Sequence, residues 1–457
     1  MLSRRTFTLG LTSTAFAGLA LGGCAGGIRS GTAPRVRGYG PLRRDPAGLI
    51  DLPDGFGYRI ISQLGDAMDD GLQVPDRADG MGAFRLDGHR MALIRNHELD
   101  TRHGVLKTVG GGSATGFPAF DHYADGSALP GGTTTLIYDY RAQRVEAQYL
   151  SLAGTLRNCA GGATPWGSWL TCEENVSRAG TGGIARDHGW VFEVPASARG
   201  PMSPQPLTAM GRFNHEAAAV DPRTGIVYLT EDRDDSLFYR FIPNVPGALS
   251  RGGRLQALAF RDAALVPDTR NWSGATFPLR EWRDVRWIDL DHVEAPEDDL
   301  RQRGHAGGAA LFARGEGIHF GRNELYFCCT SGGAAKLSQI MRYRPSRFEG
   351  RPEEGSAPGR VQIFVESADP EALNYGDNLT VAPGGHLIVC EDQYTDVVLN
   401  HLRGVTPDGK LYDVAFLHAQ TELAGVCFSP DGATMFVNLY SPAKTLAITG
   451  PWNAFRT

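Results

Sequence analysis

The sequence predicts an all-β chain folded as a six-bladed β-propeller with long loop insertions. Three observations carry that expectation. First, 59 glycines and 27 prolines are spread along 457 residues, and after the opening segment no apolar stretch of helical period follows, so many short strands with tight turns are expected. Second, one pattern recurs six times: a turn of Gly, Pro, Asp or Asn, a run of β-formers, then a polar or acidic cluster. Third, a unit this short cannot bury its own apolar face, so the repeats must pack on one another.

In chain order, Met1-Leu2-Ser3-Arg4-Arg5-Thr6-Phe7 and the Gly/Ala/Leu run to Gly23 read as a twin-arginine signal peptide over residues 1–24. It addresses the chain to the twin-arginine export machinery and so to the periplasm or the cell surface. The run closes on Leu21-Gly22-Gly23-Cys24, where acylation of Cys24 would tether the protein to a membrane as a lipoprotein; cleavage and release is the alternative. Cargo of this route crosses folded, which fits a metal loaded before export. Residues 25–48, rich in Gly, Pro and Arg and without periodicity, read as a flexible leader, and residues 49–457 as one propeller domain.

The six units are Asp87-Gly88 into 91–94 and Asn96-His97-Glu98, then Pro165-Trp166-Gly167 into 168–171 and Glu173-Glu174, then 221–225 into 226–230 and Glu231-Asp232. The others are 321–323 into 324–329 and Thr330-Ser331, then 383–385 into 386–390 and Glu391-Asp392, then Asp431-Gly432 into 434–437 and Asn438. Further strands follow most of them, as at Trp190-Val191-Phe192-Glu193-Val194-Pro195. A long insertion lies between Asp232 and Gly321 and includes the acidic stretch 289–303, expected as helix or loop. A pair of β-sandwiches is the competing architecture.

Net charge is −6 and the basic residues are dispersed, which argues against a nucleic-acid partner. Six cysteines follow Cys24, but a chain of this size needs no disulfide framework, and Cys172, Cys328 and Cys427 sit in apolar runs as small hydrophobes.

In a propeller the equivalent ends of the inner strands meet around one channel. Glu98, Glu173, Glu174, Glu231, Asp232, Glu391 and Asp392 occupy equivalent places in their units and would form a ring of negative charge, unfavourable unless cations bind it. A single such pair would read as a solvated strand end; the repetition favours the ring. Three further segments join potential ligands to glycine: Asn158-Cys159-Ala160-Gly161-Gly162, Gly211-Arg212-Phe213-Asn214-His215-Glu216 and Ala313-Arg314-Gly315-Glu316-Gly317. A thiolate among carboxylates suits a transition metal, and the remaining oxygens suit a hard cation such as calcium. Cys159 lies in a polar, glycine-rich turn; as a covalent nucleophile it lacks a histidine close in sequence.

The run from Asn158 to Gly162, followed by Trp166-Gly167-Ser168-Trp169-Leu170-Thr171-Cys172-Glu173-Glu174, resembles the signature of the PhoX-type alkaline phosphatases. Asp79-Gly80-Met81-Gly82, Asn96-His97-Glu98, Phe213-Asn214-His215-Glu216, Tyr228-Leu229-Thr230-Glu231-Asp232-Arg233, Arg314-Gly315-Glu316-Gly317, Asp377-Asn378-Leu379 and Cys390-Glu391-Asp392 are similar to that family's segments, in its order, from about Leu49 to Trp452. The resemblance implies a propeller phosphomonoesterase acting on small phosphate esters with ferric iron (Fe3+) and calcium (Ca2+). It implies Cys159, Glu216 and Glu316 as iron ligands and Glu98, Glu173, Glu174 and Asp392 near calcium. Arg314 would contact the phosphate, with Asn158, Glu231 and Asp377 as further candidates. His97, His215 and His319 would orient ligands or serve structure. Asn214 stands where the family often has lysine, and Gly376 where proline is common. A monomer is expected. The competing functions are another calcium-dependent propeller hydrolase, a lactonase or phosphodiesterase, and a non-catalytic calcium-stabilised binding propeller; a cofactor-binding quinoprotein lacks a clearly placed tryptophan pair.

Overall fold

The computed structural model describes residues 34–456; the signal segment, Cys24 and the first part of the leader lie outside them. The chain is all-β and propeller-like, with a single short α-helix, Leu300–Ala306, among the described residues. No described helix is long and apolar enough to cross a membrane.

Six strands, Ala78–Asp87, Asn158–Ala163, His215–Val220, Gly315–Phe320, Gly376–Val381 and Leu423–Phe428, pack side by side in a closed ring, each the innermost strand of an antiparallel meander. The last meander is completed from the other end of the chain, because Gly57–Gln63 pairs with Lys444–Thr449. Apolar side chains fill the space between successive meanders, as where Leu170, Val227 and Leu255 meet in one layer and Phe238, Phe327 and Met341 in the next.

The repeat pattern predicts six separate sheets, whereas five hydrogen-bonded sheets are present, of six, three, nine, four and four strands. The difference lies in the insertion after Asp232. Its strand Arg283–Asp289 pairs with Gly253–Phe260 on one side and with Arg360–Glu366 on the other, fusing two meanders into the nine-stranded sheet. The acidic end of the insertion supplies the helix.

The described part of the expected leader, residues 34–48, is not free. The Val36 amide donates to the Leu411 carbonyl at 2.9 Å, and Leu42–Arg43 pairs with Ile50–Pro53. Tyr39 anchors the stretch by packing edge-on against Phe56, Tyr412, Trp452 and Phe455. One aromatic side chain and an exposed sheet edge outweigh the glycine-rich composition.

The inner strands are rich in Gly and Ala because their backbones touch. A Cβ on Gly162 would lie 1.8 Å from the Ala218 carbonyl oxygen, and one on Gly317 2.6 Å from the Asn378 Cα. Polar side chains on the second strands fasten one meander to the next at three of the six junctions. Asn96 donates to the Cys159 and Ala160 carbonyls and accepts from Trp169 and Thr171, Thr230 donates to the Glu316 carbonyl, and Asn438 to that of Asp79.

Each inner strand also breaks register at the same place near its start: between Ala78 and Met81, Asn158 and Gly161, His215 and Ala218, Gly315 and Ile318, Gly376 and Leu379, and Ala424 and Cys427. Two residues there oppose one on the partner strand, a bulge that re-aims a side chain. The first residues of the six bulges are Asp79, Cys159, Glu216, Glu316, Asp377 and Gly425. Five of the six can bind a cation.

Replacing Asn96 with Ala strands two buried carbonyls, the Trp169 indole and the Thr171 hydroxyl. The expected loss is about 2–4 kcal/mol of unfolding free energy, read from the urea midpoint, with secondary structure retained.

Candidate functional site

The five bulge side chains open into a cavity of about 550 Å³ at the end of the ring where the inner strands begin. Ten carboxylates line it, those of Asp79, Glu98, Asp100, Glu174, Glu216, Asp232, Glu316, Asp377, Asp392 and Glu422, together with the Cys159 thiol, against four arginines, Arg77, Arg102, Arg157 and Arg314. Three groups of donors lie close enough to share a cation, with ligand atoms within 4.8 Å of one another: Cys159, Glu174 and Glu216; Glu216, Glu316 and Asp377; and Asp377, Asp392 and Glu422. Glu216 and Asp377 belong to two groups each, so the three positions form a connected row.

Of the residues expected at the centre, Glu98, Cys159, Glu174, Glu216, Arg314, Glu316 and Asp392 meet in this cavity. Glu173 and Asn158 do not. The acidic pairs sit where strands end, and adjacent side chains of a strand point to opposite faces. Glu174, Asp232 and Asp392 therefore face the cavity, while Glu173, Glu231 and Glu391 turn back into their own meanders.

Glu173 accepts from the backbone amides of Leu156, Gly189 and Trp190 and meets His188 Nδ1 at 2.6 Å, which leaves no oxygen facing the axis. Glu231 accepts from the Tyr239 hydroxyl, and Glu391 from Arg403 and the Asn374 amide. Asn158 is wholly buried, accepting from the Thr155 hydroxyl and donating to that of Thr171. It positions the strand that carries Cys159. Asp79 and Glu422 complete the donor set, and the sequence alone does not mark them as ligands. Asp79 follows from the bulge register; Glu422 precedes an inner strand and belongs to no acidic pair.

Electrostatics in the cavity run against ionisation. Burial, followed by neighbouring carboxylates, raises Asp79, Glu216, Glu316 and Glu422 well above the usual carboxylate range and puts Asp377 at about 7. Burial likewise raises Glu174 and Asp392, with Arg157 pulling Glu174 partly back. The Cys159 thiol is pushed up by burial and then by Glu216, to which its Sγ donates at 2.9 Å. Donors this desolvated and crowded are held as a set by cations or by protons, and one sulfur among carboxylate oxygens fits cations of two kinds.

Three of the four arginines are placed by unusual backbone. Arg77, Arg157, Arg314 and Tyr375 each stand directly before an inner strand with φ of 54°, 47°, 55° and 52°. Left-handed backbone at bulky residues is strained and clusters at functional sites. Arg157 pairs with Glu98 and Glu174. Arg314 Nε and Nη2 donate to Asp232 at 2.7 and 3.0 Å, and Nη2 also to Glu316 at 2.9 Å, leaving Nη1 without a protein acceptor among the described residues. Asn214, at the same place in the third meander, donates to Glu174 at 3.0 Å.

None of the three histidines lines the cavity. His97 bonds the Asp76 carbonyl and Thr134, His215 bonds the Gly211 carbonyl and packs on Phe213, and burial holds His215 at about 3 and His319 at about 4, both neutral. The six cysteines of the described residues are all free.

A propeller-like ring with three groups of buried donors at its axis, each able to hold a cation, is the frame in which the chain's class is read. The chain belongs to the alkaline phosphatase PhoX family, whose model matches residues 37–443, and it is a phosphoric monoester hydrolase. No curated protein matches it. Among solved structures it is similar to Pseudomonas fluorescens PhoX in complex with vanadate, a transition-state analogue, at 19% identity and a TM-score of 0.64 over 93% of this chain and 98% of that one. It is also similar to a Xanthomonas campestris gluconolactonase, at 13% identity and a TM-score of 0.42 over 91% and 99%.

Beneath the cavity, burial alone would depress His188, but Glu173 and Asp121 outweigh it and hold the ring at about 9. A raised pKa contributes stability that is full below about 6.5 and fades as pH rises through 9. The gap in unfolding temperature between the parent and His188→Gln should thus be widest near pH 6 and shrink by pH 10; a gap independent of pH would refute the ion pair.

Proposed function

We propose that the chain is an exported phosphatase that hydrolyses phosphate monoesters at an iron and calcium cluster on the axis of a six-bladed propeller. The single observation behind the reading is the row of three donor groups sharing Glu216 and Asp377, with a thiol at one end only. The blade count rests on the six inner strands and six equivalent bulges, the nine-stranded sheet being two blades joined by Arg283–Asp289.

Cys159, Glu216 and Glu316 would hold iron, since sulfur favours a transition metal, with Glu174 within reach of the same thiol, and the all-oxygen donors Asp377, Asp392 and Glu422, together with Glu98, would hold calcium. When bound, these ions would supply Lewis acidity and neutralise charge on the transferring group and leaving oxygen. The chain's own part is positional. Asp232 and Glu316 grip the Arg314 guanidinium from one side and fix its plane, so Nη1 is left to meet a phosphoryl oxygen. Arg157, fixed by Glu98 and Glu174, adds positive charge at the same mouth. Asn158, behind the donor strand, keeps the bulge in register. No side chain is required as nucleophile. Export by the twin-arginine route and acylation of Cys24 are part of the same proposal, supported by Arg4-Arg5 and the Leu21 to Cys24 run.

The test is metal content and p-nitrophenyl phosphate hydrolysis on the exported protein. Iron and calcium should co-purify. Cys159→Ala and Glu316→Gln should each lose iron and at least about 100-fold in kcat, and Arg314→Lys should lose about 10- to 100-fold in kcat/KM with metal content unchanged. Iron-free protein that hydrolyses lactones or phosphodiesters instead would replace this reading with the calcium-dependent hydrolase.

A further inference from the structure

Beside the axial cavity lies a second depression of about 450 Å³ that shares Asp232, Arg314 and Tyr394 with it. Its other walls are Asp234 and Trp272 in the long insertion, Ser331 and Lys336 at and after the end of the fourth unit, and Tyr375 at the left-handed position before an inner strand. Tyr394 is the most telling. It is 63% exposed, yet its ring lies 5.3 Å from the Arg314 guanidinium and 5.6 Å, edge-on, from Tyr375. A large ring held in that position with one face to water is an apolar surface awaiting a partner. Trp272 is held in place as well, by its indole N–H on the Ser331 carbonyl at 2.6 Å and by Arg270 and Lys336, each 4.4 Å from its ring.

We infer that this depression is the leaving-group subsite and that it selects phosphomonoesters whose alcohol carries a flat π system, an aryl group or a nucleobase. The inference rests on the phosphatase reading. An ester whose phosphoryl oxygens meet Arg314 Nη1 must send its alcohol away from the donor row, and the depression adjoins that guanidinium. Tyr394, with Tyr375 edge-on beside it, offers an aromatic surface there that every aromatic ring or base can use, while Trp272 already carries Arg270 and Lys336 against its ring.

The measurement is calorimetric binding of non-hydrolysable phenylphosphonate and methylphosphonate to the metal-loaded protein, alongside kcat/KM for p-nitrophenyl phosphate, a nucleoside 5′-monophosphate and glycerol 2-phosphate. The parent should bind phenylphosphonate about tenfold tighter than methylphosphonate. Tyr394→Ala should erase most of that preference, whereas Tyr394→Phe, which removes only the hydroxyl 3.4 Å from Arg314 Nη2, should keep it; the ratio of the two phosphonate affinities separates loss of the ring from any change at Arg314. The two aromatic substrates separate the sources: preference for the nucleotide over p-nitrophenyl phosphate assigns the subsite to a base, the reverse to an aryl group. Equal affinity for both phosphonates with phosphate binding intact overturns the subsite alone. No binding of phosphate or either phosphonate overturns the phosphatase reading and the subsite with it.

Discussion

Like charges held close together out of water are the constraint around which this molecule is built. Seven of the cavity's carboxylates, Asp79, Glu174, Glu216, Glu316, Asp377, Asp392 and Glu422, have exchanged hydration for the company of others, so the assembly is tolerable only with positive charge or protons in its midst. The rest of the ring resists the repulsion. Glycine and alanine let the inner backbones approach until there is no room for a side chain between them, and Asn96, Thr230 and Asn438 bolt one meander to the next through carbonyls of the donor strands themselves. The donors are thus held on rigid, mutually fastened strands rather than on loops, which is what a precise cation cluster needs.

One device, repeated, converts a generic sheet into a site. A bulge two residues into each inner strand throws one side chain toward the axis, and a left-handed residue before the strand places an arginine or tyrosine at the mouth. Donors and counter-charges therefore come from neighbouring positions of one repeat: Arg157 with Cys159, Arg314 with Glu316, Arg77 with Asp79, Tyr375 with Asp377. The third unit carries Asn214 with Glu216, and the sixth breaks the pattern, with Glu422 at the mouth and Gly425 at the bulge. Divergence within a common geometry is how a symmetric ring acquires an asymmetric centre.

Much of this is legible in the order of the amino acids. Six turn-strand-acid units point to an all-β ring, and Cys159, Glu216, Arg314 and Glu316 stand out because each belongs to a polar segment that contains glycine. Parity is not legible. In Glu173-Glu174 the two carboxylates are chemically alike, and only the strand register decides that Glu173 is spent on His188 and backbone amides while Glu174 faces the axis. Nor is the joint between two meanders, since Arg283–Asp289 buries little more than Val285 and lacks the apolar alternation of an ordinary strand. Tyr39 holds down a stretch that composition alone marks as loose, a reminder that averages over a window miss a single anchor. Glu422 carries no signal because it stands before a strand, where the other units present arginine, asparagine or tyrosine.

The way the ring is closed has a temporal consequence. The strand Gly57–Gln63 finds its partner only when Lys444–Thr449 exists, and the cavity's donors span Asp79 to Glu422. A nascent polypeptide emerging from the ribosome thus carries, until its final stretch is made, an open arc with unsatisfied edges and a scattered set of acids. Contacts so distant along the chain make for slow folding, and the cavity these acids line can close only once both of its ends exist.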